Sequence, residues 1–303
     1  MPYYLGIDGG GTKTTCAVGD ETTLLATATA GPSNVVRVGE AEARESLHRS
    51  VRQACAAANI TPAQVGRTCI GASGAAWPQV TRVVQEIMAE ILSTPVEVVG
   101  DMQVALEAAF DTGPGVIVIA GTGSIAYGRD HQGRTLRAGG WGFAIGDEGS
   151  AHWIGRTAIN ALLRASDRGE KGEESSLAQG LFQAWKVNSL SDLARAANSI
   201  PPPDFATLFR AVLAAQDELS IQVLTEAGTE LACLAAVITE RLFPKEKSEP
   251  VPVAMIGGVF RYAALVREIF YNELRRLDAR AAIHPAVVDP VEGALRMARR
   301  AAV

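Results

Sequence analysis

Histidine and cysteine are scarce, with four of each in 303 residues. His48, His131, His152 and His284 lack the spacing of metal ligands and are expected to be ordinary surface or core residues. Cys16, Cys55, Cys69 and Cys233 form no CxxC or CxC pair, which points to reduced, mostly buried thiols of a cytoplasmic protein. Positive charge is not in excess: 28 Lys and Arg against 33 Asp and Glu give a net charge of −5. That balance argues against a dedicated nucleic-acid binder, though phosphorylated small molecules need only a few well-placed groups. Apolar runs such as Gly115-Val-Ile-Val-Ile-Ala120 fall far short of the ~18–20 residues that cross a bilayer, so no membrane partner is expected. Asp8 follows so closely on the start that no secretory signal is expected. What is present, 48% hydrophobic and 20% charged residues, suits buried cores for about two domains at roughly 150 residues each.

The order of elements is more informative. Residues 3–8 predict a strand, Gly9-Gly10-Gly11-Thr12 breaks it, and 14–19 and 24–30 follow as strands. Residues 42–58 place Leu47, Val51, Ala54, Cys55 and Ala58 on one helical face. Thr61-Pro62 is a cap and first-turn proline, then come strand 68–71, helix 79–92, strand 96–99 ending at Asp101, and helix 102–110. The second half begins the same way: strand 115–120, break Gly121-Thr122-Gly123-Ser124, strand 125–129, turn 130–133, strand 134–138. Helices are expected over 149–168, 177–185, 191–198, 205–215 and 218–243, then a charged connection over 244–250. Strand 251–256, turn Gly257-Gly258, helix 262–277, strand 281–284 and a helix opened by Pro290 complete the chain. Two halves that start alike imply an internal duplication, with the domain boundary near 111–114.

Glycine turns after strands cradle phosphate because backbone amides approach without a Cβ in the way. A Walker A loop fails here, since Lys13 follows Thr12 rather than glycine. The Rossmann pattern Gly121-Thr-Gly123-Ser-Ile-Ala126 is formally present, yet strand rather than helix follows, and Trp141 stands where an acidic residue is needed. Paired hairpin turns, Asp8–Thr12 in one domain and Gly121–Ser124 in the other, account for both turns and the duplication together. Ordinary hairpin turns are the competing explanation.

Further motifs accompany these turns: Gly6-Ile-Asp8-Gly-Gly-Gly-Thr-Lys-Thr14, Pro32-Ser33-Asn34, Gly71-Ala-Ser-Gly74, Gly100-Asp101, Gly139-Gly-Trp-Gly142, Gly146-Asp-Glu-Gly-Ser150, Gly257-Gly-Val-Phe260 and Pro290-Val-Glu-Gly-Ala294. On them nearly the whole chain resembles the N-acetylglucosamine kinase family within the BadF/BadG/BcrA/BcrD-type ATPases, part of the actin/hexokinase/Hsp70 group. The resemblance implies an α/β fold of two duplicated ribonuclease-H-like domains with a nucleotide and sugar cleft between them. The domains would be 1–113 and 114–289, with a terminal helix over 290–303 packing back on the first.

The implied activity is ATP-dependent transfer of the γ-phosphate to the 6-hydroxyl of N-acetylglucosamine or a close relative. Asp101, at a strand end, would accept the hydroxyl proton, although an aspartate there also suits a helix cap. Asp8 would hold Mg²⁺ through water. Gly10, Gly11, Thr12 and Lys13 would line the phosphates from one side and Thr122 from the other, with Gly257, Gly258 and Ala206 at the nucleotide. Asn34, Ser73, Asp101, Ser124, Gly140, Trp141, Gly142 and Asp147 would contact the sugar. Glu148 also suits the first turn of the following helix, so its role stays open. Other acceptors (glucosamine, N-acetylmuramic acid, hexoses generally) remain open, as does an ATPase activator of a radical dehydratase holding an iron–sulfur cluster on cysteines. A homodimer is compatible with the family and is not determined by the sequence.

Overall fold

In the computed structural model, which describes residues 2–170, 172–244 and 249–300, the chain divides into two units. One comprises residues up to 113 with those from 288 onward; the other is 114–287. The strand β1 (Tyr3–Gly9) lies at the centre of the first. Around it runs a five-stranded sheet of β1, β2 (Thr14–Gly19), β3 (Leu24–Ala30), β4 (Val65–Ala72) and β5 (Val96–Gly100), in the order β3-β2-β1-β4-β5. β1 is antiparallel to β2 and parallel to β4.

Side chains alternate across such a sheet, and here both faces are apolar and covered. Leu5, Ile7, Cys16, Val18 and Ile70 meet α1 (Val35–Ala57) and α2 (Pro78–Ala89). Tyr4, Ala17 and Cys69 turn the other way, onto Val104 of α3 (Asp101–Phe110) and onto Val291, Ala294, Leu295 and Ala298 of the C-terminal helix, Pro290–Arg300. That helix crosses β1 at backbone distance: a Cβ on Gly6 would stand 2.2 Å from the Leu295 amide nitrogen. Only glycine admits this approach.

The second unit repeats the plan. Its sheet contains β6 (Gly115–Ala120), β7 (Ser124–Arg129), β8 (Thr135–Gly139), β9 (Val251–Ile256) and β10 (Ala281–Val288), in the order β10-β9-β6-β7-β8. β6 takes the place of β1, antiparallel to β7 and parallel to β9. The duplication expected from the two glycine turns is therefore present in the strand topology. Between β8 and β9 lie α4 (Ala151–Asp167), α5 (Ser176–Trp185), α6 (Leu190–Ala197), α7 (Phe209–Ala215) and α8 (Glu218–Leu242); α9 (Gly258–Tyr262) and α10 (Ala264–Leu277) follow β9. By length and composition α8 could cross a membrane, yet its apolar side, including Val223, Leu224, Ala227 and Leu231, is built into this unit's core.

Among the boundaries that differ from expectation, three do so for a clear local reason. α1 begins at Val35 rather than 42, because Asn34 caps it; Gly39, at φ 80°, breaks the regular helix that the pattern picks up only later. The helix expected over 205–215 opens with a 3₁₀ turn, Phe205–Leu208, started by the Asp204 cap. The helix expected over 262–277 is α10, from Ala264, and a short helix, α9, precedes it where only a turn was expected, since Gly257 caps α9 directly after the strand. Of the charged connection expected over 244–250, residues 245–248 lie outside the described residues.

Candidate active site

The β1–β2 turn begins where Gly9 leaves the sheet. The Gly10 amide donates to the Lys13 carbonyl at 3.1 Å, and the Gly10 carbonyl accepts the Ser33 amide at 3.1 Å. Gly10 thus shapes the turn from which phosphate contacts are expected. Behind the turn, the buried Thr14 hydroxyl lies 2.8 Å from the Gly31 carbonyl and 2.7 Å from Ser33 Oγ. Ser33 therefore ties the segment after β3 to the glycine turn. Its neighbour Asn34 caps α1, with Oδ1 accepting from the Val36 and Arg37 amides at 3.1 and 3.3 Å. Its Oδ1 is thus engaged in the cap, and any contact with a ligand would fall to its Nδ2 end. Ser33→Ala is expected to lower stability by about 1 kcal/mol and, if the glycine turn holds a ligand, to weaken that ligand's binding. Denaturant unfolding and ligand titration check both.

Three carboxylates gather in the same unit. Asp8 pairs in register with Gly71 of β4, and β5 beside β4 delivers Asp101 as the first residue of α3. Asp101 Oδ1 accepts the Met102 amide at 2.9 Å, and the Ser73 hydroxyl bonds the same carboxylate. Burial pushes the Asp101 carboxyl above the usual range, and these hydrogen bonds offset part of the rise. Asp8 is pushed up to about 7, first by burial, then by the charges of Asp101 and Asp289, with Lys13 acting in the opposite sense. Asp8, Lys13, Ser73 and Asp101 thus converge, while Thr12 and Lys13 are exposed on the turn. A buried carboxylate with two like charges beside it is favoured in its ionised form by a divalent cation. Among the described residues no group of three His, Cys, Asp or Glu could hold a metal alone. That donor set fits Mg²⁺ held by one carboxylate, waters and phosphate oxygens.

In the second unit the Gly121 amide donates to the Gly123 carbonyl at 2.9 Å, closing the β6–β7 turn. The start of α4 grips it: the Ala151 amide donates to the Gly121 carbonyl at 2.8 Å and the His152 amide to the Thr122 carbonyl at 3.3 Å. The Ser124 hydroxyl donates to the Glu148 carbonyl at 2.6 Å. Asp147 is buried at φ 61°, unusual for a residue with a side chain. Its Oδ1 accepts the Gly142 amide at 3.3 Å, and its Oδ2 would stand 2.7 Å from a Cβ on Gly123. Burial raises its carboxyl above the ordinary range, the Gly142 and Ser124 amides oppose this, and Glu148 adds to it.

Trp141, between Gly140 and Gly142, is 66% exposed with the Arg137 guanidinium 4.3 Å over its ring. It is a surface wall rather than a core aromatic. A Cβ on Gly257 would stand 2.3 Å from the Ala120 carbonyl oxygen, so the Gly257-Gly258 turn abuts the strand end that feeds Gly121. Ala206, in the 3₁₀ turn, donates its amide to Asp204 Oδ1 at 3.0 Å. It connects to the Gly121–Thr122 turn through Phe205, whose ring lies 5.1 Å from that of His152.

Sequence reasoning missed Asp289, which sits against Pro290 with Oδ1 3.5 Å from the Val291 amide. Its only signal was that of a helix cap. Ser33 and Thr14 stood in the quoted motifs without a role, and Arg37 lay outside them. Cys16, Cys55 and Cys69 are buried and Cys233 is exposed. Burial pushes the Cys55 and Cys69 thiols up to about 11 and 12.

Comparison with known proteins places these motifs. The model of the BadF/BadG/BcrA/BcrD ATPase family matches residues 5–298. An N-acetylmuramic acid/N-acetylglucosamine kinase of Clostridium acetobutylicum is 31% identical over 91% of this chain and 90% of its own. An N-acetyl-D-glucosamine kinase of Dictyostelium discoideum is 30% identical over 97% of both. A solved structure from Chromobacterium violaceum, provisionally assigned as an N-acetylglucosamine kinase, superposes with a TM-score of 0.76 at 26% identity, covering 98% of this chain and 99% of that one.

Proposed function

The chain belongs to the BadF/BadG/BcrA/BcrD ATPase family and is a sugar kinase; we propose that it transfers the γ-phosphate of ATP to the 6-hydroxyl of N-acetylglucosamine or a closely related amino sugar. Asp101 carries the reading. Its carboxyl is held by the Met102 amide and the Ser73 hydroxyl in the unit that also holds the glycine turn and Asp8. Those bonds fix the carboxylate, so one oxygen keeps lone pairs for the proton of an incoming hydroxyl.

As the sugar O6–phosphorus bond forms and the bond to the departing ADP oxygen breaks, the O6 proton passes to Asp101. Phosphoryl transfer asks little covalent chemistry of the protein, so the remaining groups align and neutralise. Gly11, Thr12, Lys13 and Thr122 would meet phosphate oxygens, and Gly257, Gly258 and Ala206 the nucleoside. Asn34, Ser73, Ser124, Gly140, Trp141, Gly142 and Asp147 would hold the sugar, Asp147 by accepting from hydroxyls. Mg²⁺, held through water on Asp8, would supply charge neutralisation on the phosphates. An ATP-using enzyme with free thiols fits the cytoplasm.

The test is ADP release with MgATP across N-acetylglucosamine, glucosamine, N-acetylmuramic acid, glucose, N-acetylmannosamine and no sugar, with the product identified by ³¹P NMR. Release that depends on one amino sugar and yields its 6-phosphate is the expected result. Hydrolysis indifferent to every sugar would overturn the reading and favour the ATPase-activator class.

A further inference from the structure

The half-site built on Asp8, Asp101 and Asp289 is strongly acidic, yet its ligand would bring several negative charges. Cations must therefore stand close by. Lys13 is one. Arg37 is a second, supplied by the first turn of α1. Its guanidinium lies against the glycine turn: a Cβ placed on Gly11 would be 3.3 Å from Arg37 Nη1 and 3.6 Å from Arg37 Cδ. The backbone that launches this side chain is fixed, because the Arg37 amide donates both to the Asn34 carbonyl at 2.9 Å and to Asn34 Oδ1 at 3.3 Å. On the other side, the same turn of α1 touches the loop after β4, where a Cβ on Gly74 would be 3.8 Å from Val36 Cγ2. Arg37 thus springs from a helix turn bounded by Asn34, by the loop of Ser73 and by Gly11.

We propose that Arg37 binds an oxyanion of the reacting ligands over Gly11 and so acts as a specificity-determining residue of the kinase. The proposal rests on the kinase reading for the identity of those ligands. Two oxyanions share the required chemistry. One is the terminal phosphate of ATP, which the glycine turn would cradle. The other is the lactyl carboxylate that N-acetylmuramic acid carries on O3 and N-acetylglucosamine lacks. A guanidinium presents a planar fork of donors that matches either group, and a lysine at the same place would supply only a point charge.

Equilibrium binding separates the sources without depending on turnover. Titration calorimetry is run on wild type, Arg37→Ala and Arg37→Lys with the β,γ-imido analogue of MgATP, with N-acetylglucosamine and with N-acetylmuramic acid. Arg37 is exposed, so the variants are expected to unfold within a degree or two of wild type, which a thermal melt verifies. The expected result is a 10- to 100-fold loss of affinity in Arg37→Ala for one anionic ligand, the size of a charge-assisted pair. Arg37→Lys should recover part of it, and N-acetylglucosamine affinity should change less than threefold. Loss confined to the nucleotide assigns the phosphate; loss confined to N-acetylmuramic acid assigns the carboxylate. Unchanged affinity for both anions, or equal loss for all three ligands, overturns the proposal. Wild-type turnover with N-acetylglucosamine is read on the same preparation. Its absence would sink the kinase reading alone, while the binding comparison would still decide the role of Arg37.

Discussion

Asp101→Asn is expected to lower kcat by roughly 10²–10⁴-fold, the usual contribution of a positioned proton acceptor, with KM for sugar and ATP changed only a few-fold. The variant isolates the chemistry, since an asparagine oxygen can still accept the Met102 amide and keep the start of α3 capped. A loss confined to kcat marks an interaction made in the transition state. The pH profile gives a second readout. The base must be ionised, and its carboxyl lies above the ordinary range, so wild-type activity should fall on the acid side. In the free enzyme Asp8 contributes to that limb as well, because its own carboxyl is raised by burial and by the charge of Asp101. Bound cation and nucleotide favour ionised Asp8, so the acid limb of kcat should lie below that of kcat/KM. A variant that keeps more than about a tenth of wild-type kcat would remove Asp101 from the role of base.

The parts of this molecule that follow from local rules were legible in the sequence. Two glycine turns between β-favouring runs predicted the duplicated sheet, because a turn of that kind and an alternating strand are written in adjacent residues. The helices over Leu47–Ala54 and Val80–Met88 declared themselves by their apolar spacing. What escaped was decided by partners distant in the chain. The start of α1 at Val35 depends on the Asn34 cap and a break at Gly39, so residues 35–41 carry no regular periodicity to detect. Gly6 stands in a strand for the sake of Leu295 in the last helix, a contact no local pattern announces. Asp289 carries no local signal of its role, and the packing of the C-terminal helix on β1 brings its charge to bear on Asp8. The exposure of Trp141 was not legible, because flanking glycines say that the backbone is free to turn, not which way the ring will face.

Asp8→Asn is expected to abolish sugar phosphorylation, a loss of at least 10²-fold, while making the folded protein more stable at pH 8. The sign follows from linkage. The native carboxyl lies near 7 rather than 3.8, so between about pH 4 and pH 7 the folded protein holds a proton that the unfolded chain has released. Stability therefore falls as pH rises through that window and levels off above it. Three pKa units correspond to an upper figure of about 4 kcal/mol. Asparagine keeps the shape and carries no charge to desolvate beside Asp101 and Asp289, so about 2–4 kcal/mol should be regained at pH 8 and much less at pH 5. At roughly 2–4 °C per kcal/mol, the melting temperature should rise by several degrees at the higher pH. Added Mg²⁺ with ADP should raise the melting temperature of wild type at pH 8 and leave that of Asp8→Asn nearly unmoved, since only a ligand that binds the native state stabilises it. A variant that melts below wild type at pH 8, or that keeps the full Mg²⁺-dependent shift, would show that Asp8 is neither the strained carboxylate nor the cation's anchor. If both shifts appear as expected, the instability stored at Asp8 is the counterpart of its binding function. The burial and neighbouring charges that make the carboxylate costly to ionise are then what draw a cation and its phosphates to it.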